Sequence, residues 1–239
     1  MGRSLALYIV QLPLAVLATA VLTSVASLAG LVGRPAGVQV CSRVWSRLLL
    51  RLFRVDVESR GQEHMPRGPA VYAANHSSSL DILVVLAHLP AEVRIIYKKS
   101  LSLVPLLGWS IAVGGHIPID RSNPFRARRS LARAAERIRS GTSVLVFPEG
   151  TRSPDGKVRH FKRGSFSLAL EAGVPIVPLS LVGVKRLVPR GFTSLRPGRL
   201  TLRLHPPIPV SGRSKDDAEA LAEETRRVVA AGCETEVDE

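Results

Sequence analysis

His76 and Asp81 stand five positions apart in Asn75-His76-Ser77-Ser78-Ser79-Leu80-Asp81, a polar stretch between two apolar runs, Pro69 to Ala74 and Ile82 to Ala87. An imidazole with a carboxylate beside it can take a proton from an alcohol near neutral pH. The ring accepts the proton, and the carboxylate on its other nitrogen fixes the tautomer and stabilises the imidazolium. No catalytic serine is needed if the attacking hydroxyl belongs to a substrate. The spacing limits how the two residues can meet. Five residues of ideal helix turn through roughly 500°, which would leave the side chains about 140° apart. They touch only if His76 lies on a loop and Asp81 sits in the first helical turn, facing back. A buried strand before the polar stretch and a helix after it would supply that arrangement. The plain alternative is a loop histidine and a capping aspartate, with the serines as turn formers.

A second cluster, Phe147-Pro148-Glu149-Gly150-Thr151-Arg152-Ser153, follows the apolar run Val144-Leu145-Val146. Gly150 permits close backbone approach, Thr151 and Ser153 offer hydroxyls, and Arg152 can hold a phosphate bidentately. Glu149 is unusual beside an anion. It is expected to orient Arg152 or to accept a hydrogen bond from a substrate hydroxyl. Upstream, Gly114-Gly115-His116-Ile117-Pro118-Ile119-Asp120-Arg121 brings a second arginine to a strand end. Arg121 and Arg152 converging near His76 would make a phosphate clamp, although Arg121 could equally pair with an acid at the surface.

Other candidates carry less. Gly108-Trp109-Ser110-Ile111-Ala112 nearly matches a nucleophile elbow, but Pro105 spoils the strand that an elbow requires before it. His116, His160 and His205 show no metal-ligand spacing and read as structural or surface residues; no metal is implied. Residues 94–139 hold ten Lys or Arg against two acids, six of the arginines on one predicted helix. Such a face could meet anionic lipid, the phosphates of coenzyme A or an acidic carrier protein, or it could be merely solvated.

The elements that must position these groups read as α/β. Strands are expected at 55–57, 70–74, 93–97, 116–119, 143–147, 174–182 and 200–204. Helices are expected at 80–88, 103–113, 124–140, 164–172 and 215–231, the last opening on a Ser214–Asp217 capping box and closing at Gly232. Strands alternating with helices imply a mostly parallel sheet flanked by helices, with ligands at the strands' carboxyl ends. His76 and the 147–153 cluster both fall there.

No residue from Leu5 to Gly33 is charged, a run of 29. That exceeds the roughly 20 needed to cross a hydrocarbon core. A cleaved signal peptide is the competing reading. Val38 to Phe53 then carries Arg43 and Arg47 on one helical face, continued by Arg51 and Arg54, with apolar residues around them. That is a cationic amphipathic helix suited to anionic headgroups, or a helix docked on the domain. The expected organisation is a two-helix membrane-associated segment, 1–54, and an α/β catalytic domain, 55–239. The arginine excess after the apolar run places that domain on the cytoplasmic side of the cell membrane. The 239 residues carry a formal charge of +14 and two cysteines, Cys41 and Cys233. The charge points to anionic partners, and the cysteine count to a reducing compartment. Only 5% of residues are aromatic, and no RNA-binding aromatic motif or zinc-finger spacing is present, which argues against nucleic acid.

Taken together, four blocks resemble the 1-acylglycerol-3-phosphate acyltransferase family of the glycerolipid acyltransferase superfamily. They are Asn75-His76 through Asp81; Lys98-Lys99 through Gly108-Trp109 with Gly115 to Arg121; Phe147 to Ser153; and Val174-Pro175-Ile176-Val177-Pro178-Leu179. The resemblance implies transfer of a fatty acyl chain from acyl-CoA or acyl carrier protein to the sn-2 hydroxyl of lysophosphatidic acid, giving phosphatidic acid. It implies His76 as general base and Asp81 as its orienter. Arg121, Glu149, Gly150, Thr151 and Arg152 become the acceptor site, without a metal or redox cofactor. The alternatives are the same chemistry on glycerol-3-phosphate, another lysophospholipid or an acylated amine lipid, and a non-catalytic membrane lipid-binding protein.

Overall fold

A computed structural model describes residues 7–32, 35–89, 92–104, 107–120, 122–189 and 194–234. Its centre is a seven-stranded sheet of β1 (Val55–Arg60), β2 (Val71–Ala74), β3 (Val93–Lys98), β4 (Ile117–Ile119), β5 (Ser143–Val146), β6 (Ile176–Val182) and β7 (Gly198–Leu204). The order is β1-β7-β6-β2-β5-β3-β4. Every pairing is parallel except β6 with β7. The sheet is therefore mixed, and mostly parallel as expected.

The helices are α1 (Leu12–Leu31), α2 (Pro35–Leu52), α3 (Leu80–His88), α4 (Leu107–Val113), α5 (Pro124–Arg139), α6 (Gly164–Ala172), α7 (Val184–Leu187) and α8 (Ala218–Glu234). Strand alternation assigns side chains to two cores. Tyr72, Leu145, Leu179 and Leu202 meet α2, α3 and α7 on one face. Val71, Val144, Val146 and Ile176 meet α5, α6 and α8 on the other. The helix after β2 covers the first face and the helix after β5 covers the second. The chain therefore diverges between these neighbouring strands, and a crevice opens at their carboxyl ends. His76 follows β2 and Glu149 follows β5, so the crevice lies between them.

Several boundaries shift from those expected. The helix expected from Leu103 begins at Leu107, because Lys99–Leu103 forms a 3-10 turn of its own. Ser110 lies inside α4 rather than on a strand-to-helix turn, so the elbow context is missing. The Ser214–Asp217 capping box forms, on a short 3-10 turn that leads into α8. Gly232 does not close that helix, which continues to Glu234. Its role is close packing: a Cβ there would collide with Ser180 Oγ and the His205 ring.

The N-terminal helices form an antiparallel pair fastened along its length. Gln11 donates to Leu52 O at 2.7 Å, Trp45 Nε1 donates to Thr19 Oγ1 at 2.9 Å, and Gly37 lets Ala29 approach closely. α2 is in turn docked on the domain, with Leu49, Leu50 and Phe53 buried in the first core. The expected row of headgroup-facing arginines is divided. Arg43 and Arg47 reach back to Leu89 O and Ala87 O, at 3.4 and 3.1 Å, where α3 ends. There they satisfy terminal carbonyls and meet the negative end of the helix dipole. Arg51 and Arg54 remain exposed, and the outward stripe of α2 is the apolar set Val40, Val44 and Leu48. The stretch Ile9–Leu31 is long and apolar enough to cross a membrane.

Candidate active site

β2 ends in a loop whose polar groups are nearly all committed. The Asn75 side chain donates to Leu181 O at 3.0 Å and accepts from Leu181 N–H at 2.8 Å, which ties the loop to β6. His76 Nδ1 lies 2.7 Å from Asp81 Oδ2, and the same oxygen accepts from Ser77 N–H at 2.7 Å and Ser78 N–H at 2.9 Å. Asp81 stands in the first turn of α3 with its side chain fully buried, while His76 lies on the loop and is 15% exposed. This is the arrangement the spacing demanded. A carboxylate is only an acceptor, so Nδ1 carries the proton and Nε2 keeps its lone pair for a substrate.

The loop after β5 meets His76 at three points. The Phe147 ring stacks on the imidazole, with centroids 4.1 Å apart. Glu149 Oε1 accepts the His76 N–H at 2.9 Å, and Ser153 N–H donates to His76 O at 2.7 Å. Glu149 is 4% exposed, and burial pushes its carboxyl pKa up against the pull of the His76 N–H. Ser153 is buried and its hydroxyl donates to Asp155 at 2.7 Å. Gly150 sits at φ +74°, where an added Cβ would lie 3.0 Å from Lys162 Nζ. Thr151 and Arg152 are exposed. Arg121 lies outside the described residues. Its neighbour Asp120 pairs with Lys99 at 3.5 Å and Arg126 at 3.9 Å.

A cavity of about 290 Å³ has His76, Ser79 and Arg152 at one end. It follows α3 past Ile82 and Leu83 to Leu86, roughly 10 Å of helical rise. Its other walls include Leu22, Ala26, Val38 and Trp45 of the N-terminal pair, and Ile95 of β3. The lining is mostly apolar, with the His76 imidazole and the Arg152 guanidinium among its polar groups. His116 also lines the cavity. Its Nδ1 accepts the Ile95 N–H at 3.0 Å, and burial lowers its pKa to about 4. His205 is held to about 4 chiefly by burial and contacts Ser180 Oγ at 2.8 Å. Among the described residues no His, Cys, Asp and Glu cluster could hold a metal.

Motif reading singled out His76, Asp81, Arg121, Glu149, Gly150, Thr151 and Arg152; Arg121 lies outside the described residues, and the loops after β2 and β5 bring the other six to one crevice. It did not single out Phe147 as a stacking partner, Asn75 as the tie to β6, Ser153 as a backbone donor or Lys162 above the turn. Nor did it foresee that the N-terminal pair walls the cavity. Those contacts join positions distant in the chain, and no local spacing signals them.

A family model described as "Acyltransferase" matches residues 56–182. A 1-acyl-sn-glycerol-3-phosphate acyltransferase of Chlamydomonas reinhardtii is 38% identical over 186 residues, covering 77% of this chain and 54% of that protein. The alpha form of that enzyme in Ovis aries is 38% identical over 180 residues, covering 73% and 62%. The chain thus spans little more than half the length of these curated relatives. The crystal structure of the 1-acyl-sn-glycerophosphate (LPA) acyltransferase of Thermotoga maritima is similar to this fold. Its TM-score is 0.73 at 29% identity, covering 93% of this chain and 95% of that one.

Proposed function

Because this chain belongs to the acyltransferase family, whose model spans more than half of it, we propose that it moves a fatty acyl chain from a thioester to the sn-2 hydroxyl of 1-acylglycerol-3-phosphate. The observation that carries this reading is the His76–Asp81 pair, 2.7 Å apart at the mouth of an apolar cavity with Arg152 beside it. His76 Nε2 takes the hydroxyl proton as the oxygen attacks the thioester carbonyl. The tetrahedral adduct collapses, the C–S bond breaks, and the imidazolium returns the proton to the departing thiolate. The products are phosphatidic acid and a free thiol, with no acyl-enzyme. Arg152 holds the acceptor's phosphate, joined in this reading by Arg121 and by Thr151 and Gly150 of the turn. Acyl-CoA and acyl carrier protein both suit the donor role.

The bilayer is the proposed source of acceptor. The exposed large apolar side chains of the described residues are those of Ile9, Val10, α1 and Val32, the outer stripe of α2, and Leu101, Leu103, Val104, Trp109 and Phe125. Most of them lie on the N-terminal pair, whose helices also wall the cavity, and apolar surface exposed there suits a membrane face. The free cysteines and the arginine excess after α1 support a cytoplasmic catalytic domain.

The test is thiol release with an acceptor panel. Vesicles carrying the protein should form phosphatidic acid from lysophosphatidic acid and a long-chain acyl thioester. Turnover confined to glycerol-3-phosphate or another lysolipid would move the acceptor assignment. Lipid binding without thiol release from any acceptor would overturn the reading.

A further inference from the structure

We propose that Glu149 is a positioning residue for His76, acting through the main chain rather than on the substrate, with Ser153 completing the hold from the other side. The inference rests on the acyl-transfer reading and deepens it. The loop between β2 and α3 has no sheet or helix partner at His76, so its backbone groups must find others. Consecutive N–H groups from His76 to Ser78 all end on buried carboxylates: His76 on Glu149, Ser77 and Ser78 on Asp81. The His76 carbonyl receives the Ser153 N–H at 2.7 Å. Asp81 and Phe147 fix the ring, but ring contacts position Nε2 only if the peptide that carries the ring is itself fixed. Glu149 and Ser153 hold the two peptide groups that flank the His76 Cα, one at its N–H and the other at its carbonyl oxygen.

Two observations set Glu149 apart from a substrate ligand. Its Oε1 is already committed to the His76 N–H, and its Oε2, though without a partner, is buried out of reach. And while His76 and Arg152 wall the cavity, Glu149 does not, at 4% exposure. Burial favours its neutral form, as expected of a carboxyl serving as an acceptor behind the site rather than as a charge within it. In this light the 147–153 cluster does two things. Its exposed half, Thr151 and Arg152, faces ligand, and its buried half, Phe147, Glu149 and Ser153, holds the base.

The experiment compares wild type, E149Q and E149A, full-length in lipid vesicles, by thiol release with both substrates varied. A 1 Å misplacement of a catalytic group costs on the order of 10²-fold. E149A should lose about that factor in kcat with little change in KM for lysophosphatidic acid. E149Q keeps an amide oxygen for the His76 N–H and should recover most of the loss. The outcome that overturns the proposal is a raised lysophosphatidic acid KM in both variants with kcat retained, or E149A turning over like wild type. Imidazole ¹⁵N NMR in detergent gives a readout independent of turnover. The protected Nδ1–H signal of His76 should persist in E149Q and broaden or vanish in E149A; an unaltered signal in E149A contradicts the hold. If E149A does not fold, Glu149→Met keeps the volume, lacks the acceptor and carries the same comparison. A wild type that releases no thiol defeats the proposed function, while the NMR comparison still decides the role of Glu149.

Discussion

Replacing Asp81 by Asn separates its role in catalysis from its role in folding. Asp81 Oδ2 accepts three hydrogen bonds at 2.7 to 2.9 Å in a fully buried setting. An asparagine keeps one oxygen for the Ser77 and Ser78 N–H groups, so the loop stays closed. That oxygen still accepts from His76 Nδ1, but the neutral amide carries no charge to stabilise the imidazolium that forms when Nε2 takes the proton, and its N–H₂ enters the buried position where Asp81 Oδ1 has no partner. Loss of a positioned general base costs about 10²- to 10⁴-fold. At 1.36 kcal/mol per decade this is roughly 3–5 kcal/mol on the activation barrier. D81A, by contrast, orphans the buried Ser78 N–H as well as the half-buried Ser77 N–H and His76 Nδ1–H; at about 1–3 kcal/mol for a buried donor it should lower stability by at least about 1 kcal/mol. The assay is thiol release at saturating donor and acceptor, paired with a thermal melt. A D81N protein that folds and keeps kcat within tenfold of wild type would refute the base-and-orienter reasoning.

Arg152→Ala removes a charge-assisted contact worth about 1.5–3 kcal/mol, so kcat/KM for lysophosphatidic acid should fall roughly 10- to 100-fold; an unchanged value removes Arg152 from the phosphate site. Ala26→Phe puts a benzyl group into the 290 Å³ cavity and should shift donor preference toward shorter chains, so an unaltered chain-length profile counts against the cavity as the tail site. His116 and His205 both have folded pKa values near 4, below the usual 6.5, so the unfolded chain binds more protons in between. Stability should be complete above about pH 6.5 and fall on acidification toward pH 4, with His116 contributing at most about 3 kcal/mol. Chemical denaturation of H116Q should show a shallower decline over that window; identical slopes for variant and wild type would contradict it.

The α/β alternation and the strand positions were legible because buried parallel strands are short apolar runs bounded by polar turns. The loop position of His76 followed from helical geometry alone, since a pair five residues apart cannot meet on a continuous helix. Contacts set by tertiary packing left no local mark. Arg43 and Arg47 show an amphipathic spacing, but nothing nearby announces that the α3 carbonyls at Ala87 and Leu89 will receive them. Gly232 carries the signature of a helix stop, and only the closeness of β6 and β7 explains why a small residue is required inside the helix. Glu149 stands beside an arginine in sequence, whereas its partner in space is a backbone N–H 73 positions earlier.

The central claim is that the His76 imidazole deprotonates a lipid hydroxyl, and its most direct test is acyl-thioester turnover by His76→Ala in vesicles with lysophosphatidic acid. A folded variant should release thiol at least 10²-fold more slowly than wild type, the loss expected on removing a positioned general base. Wild-type turnover by that variant would contradict the account.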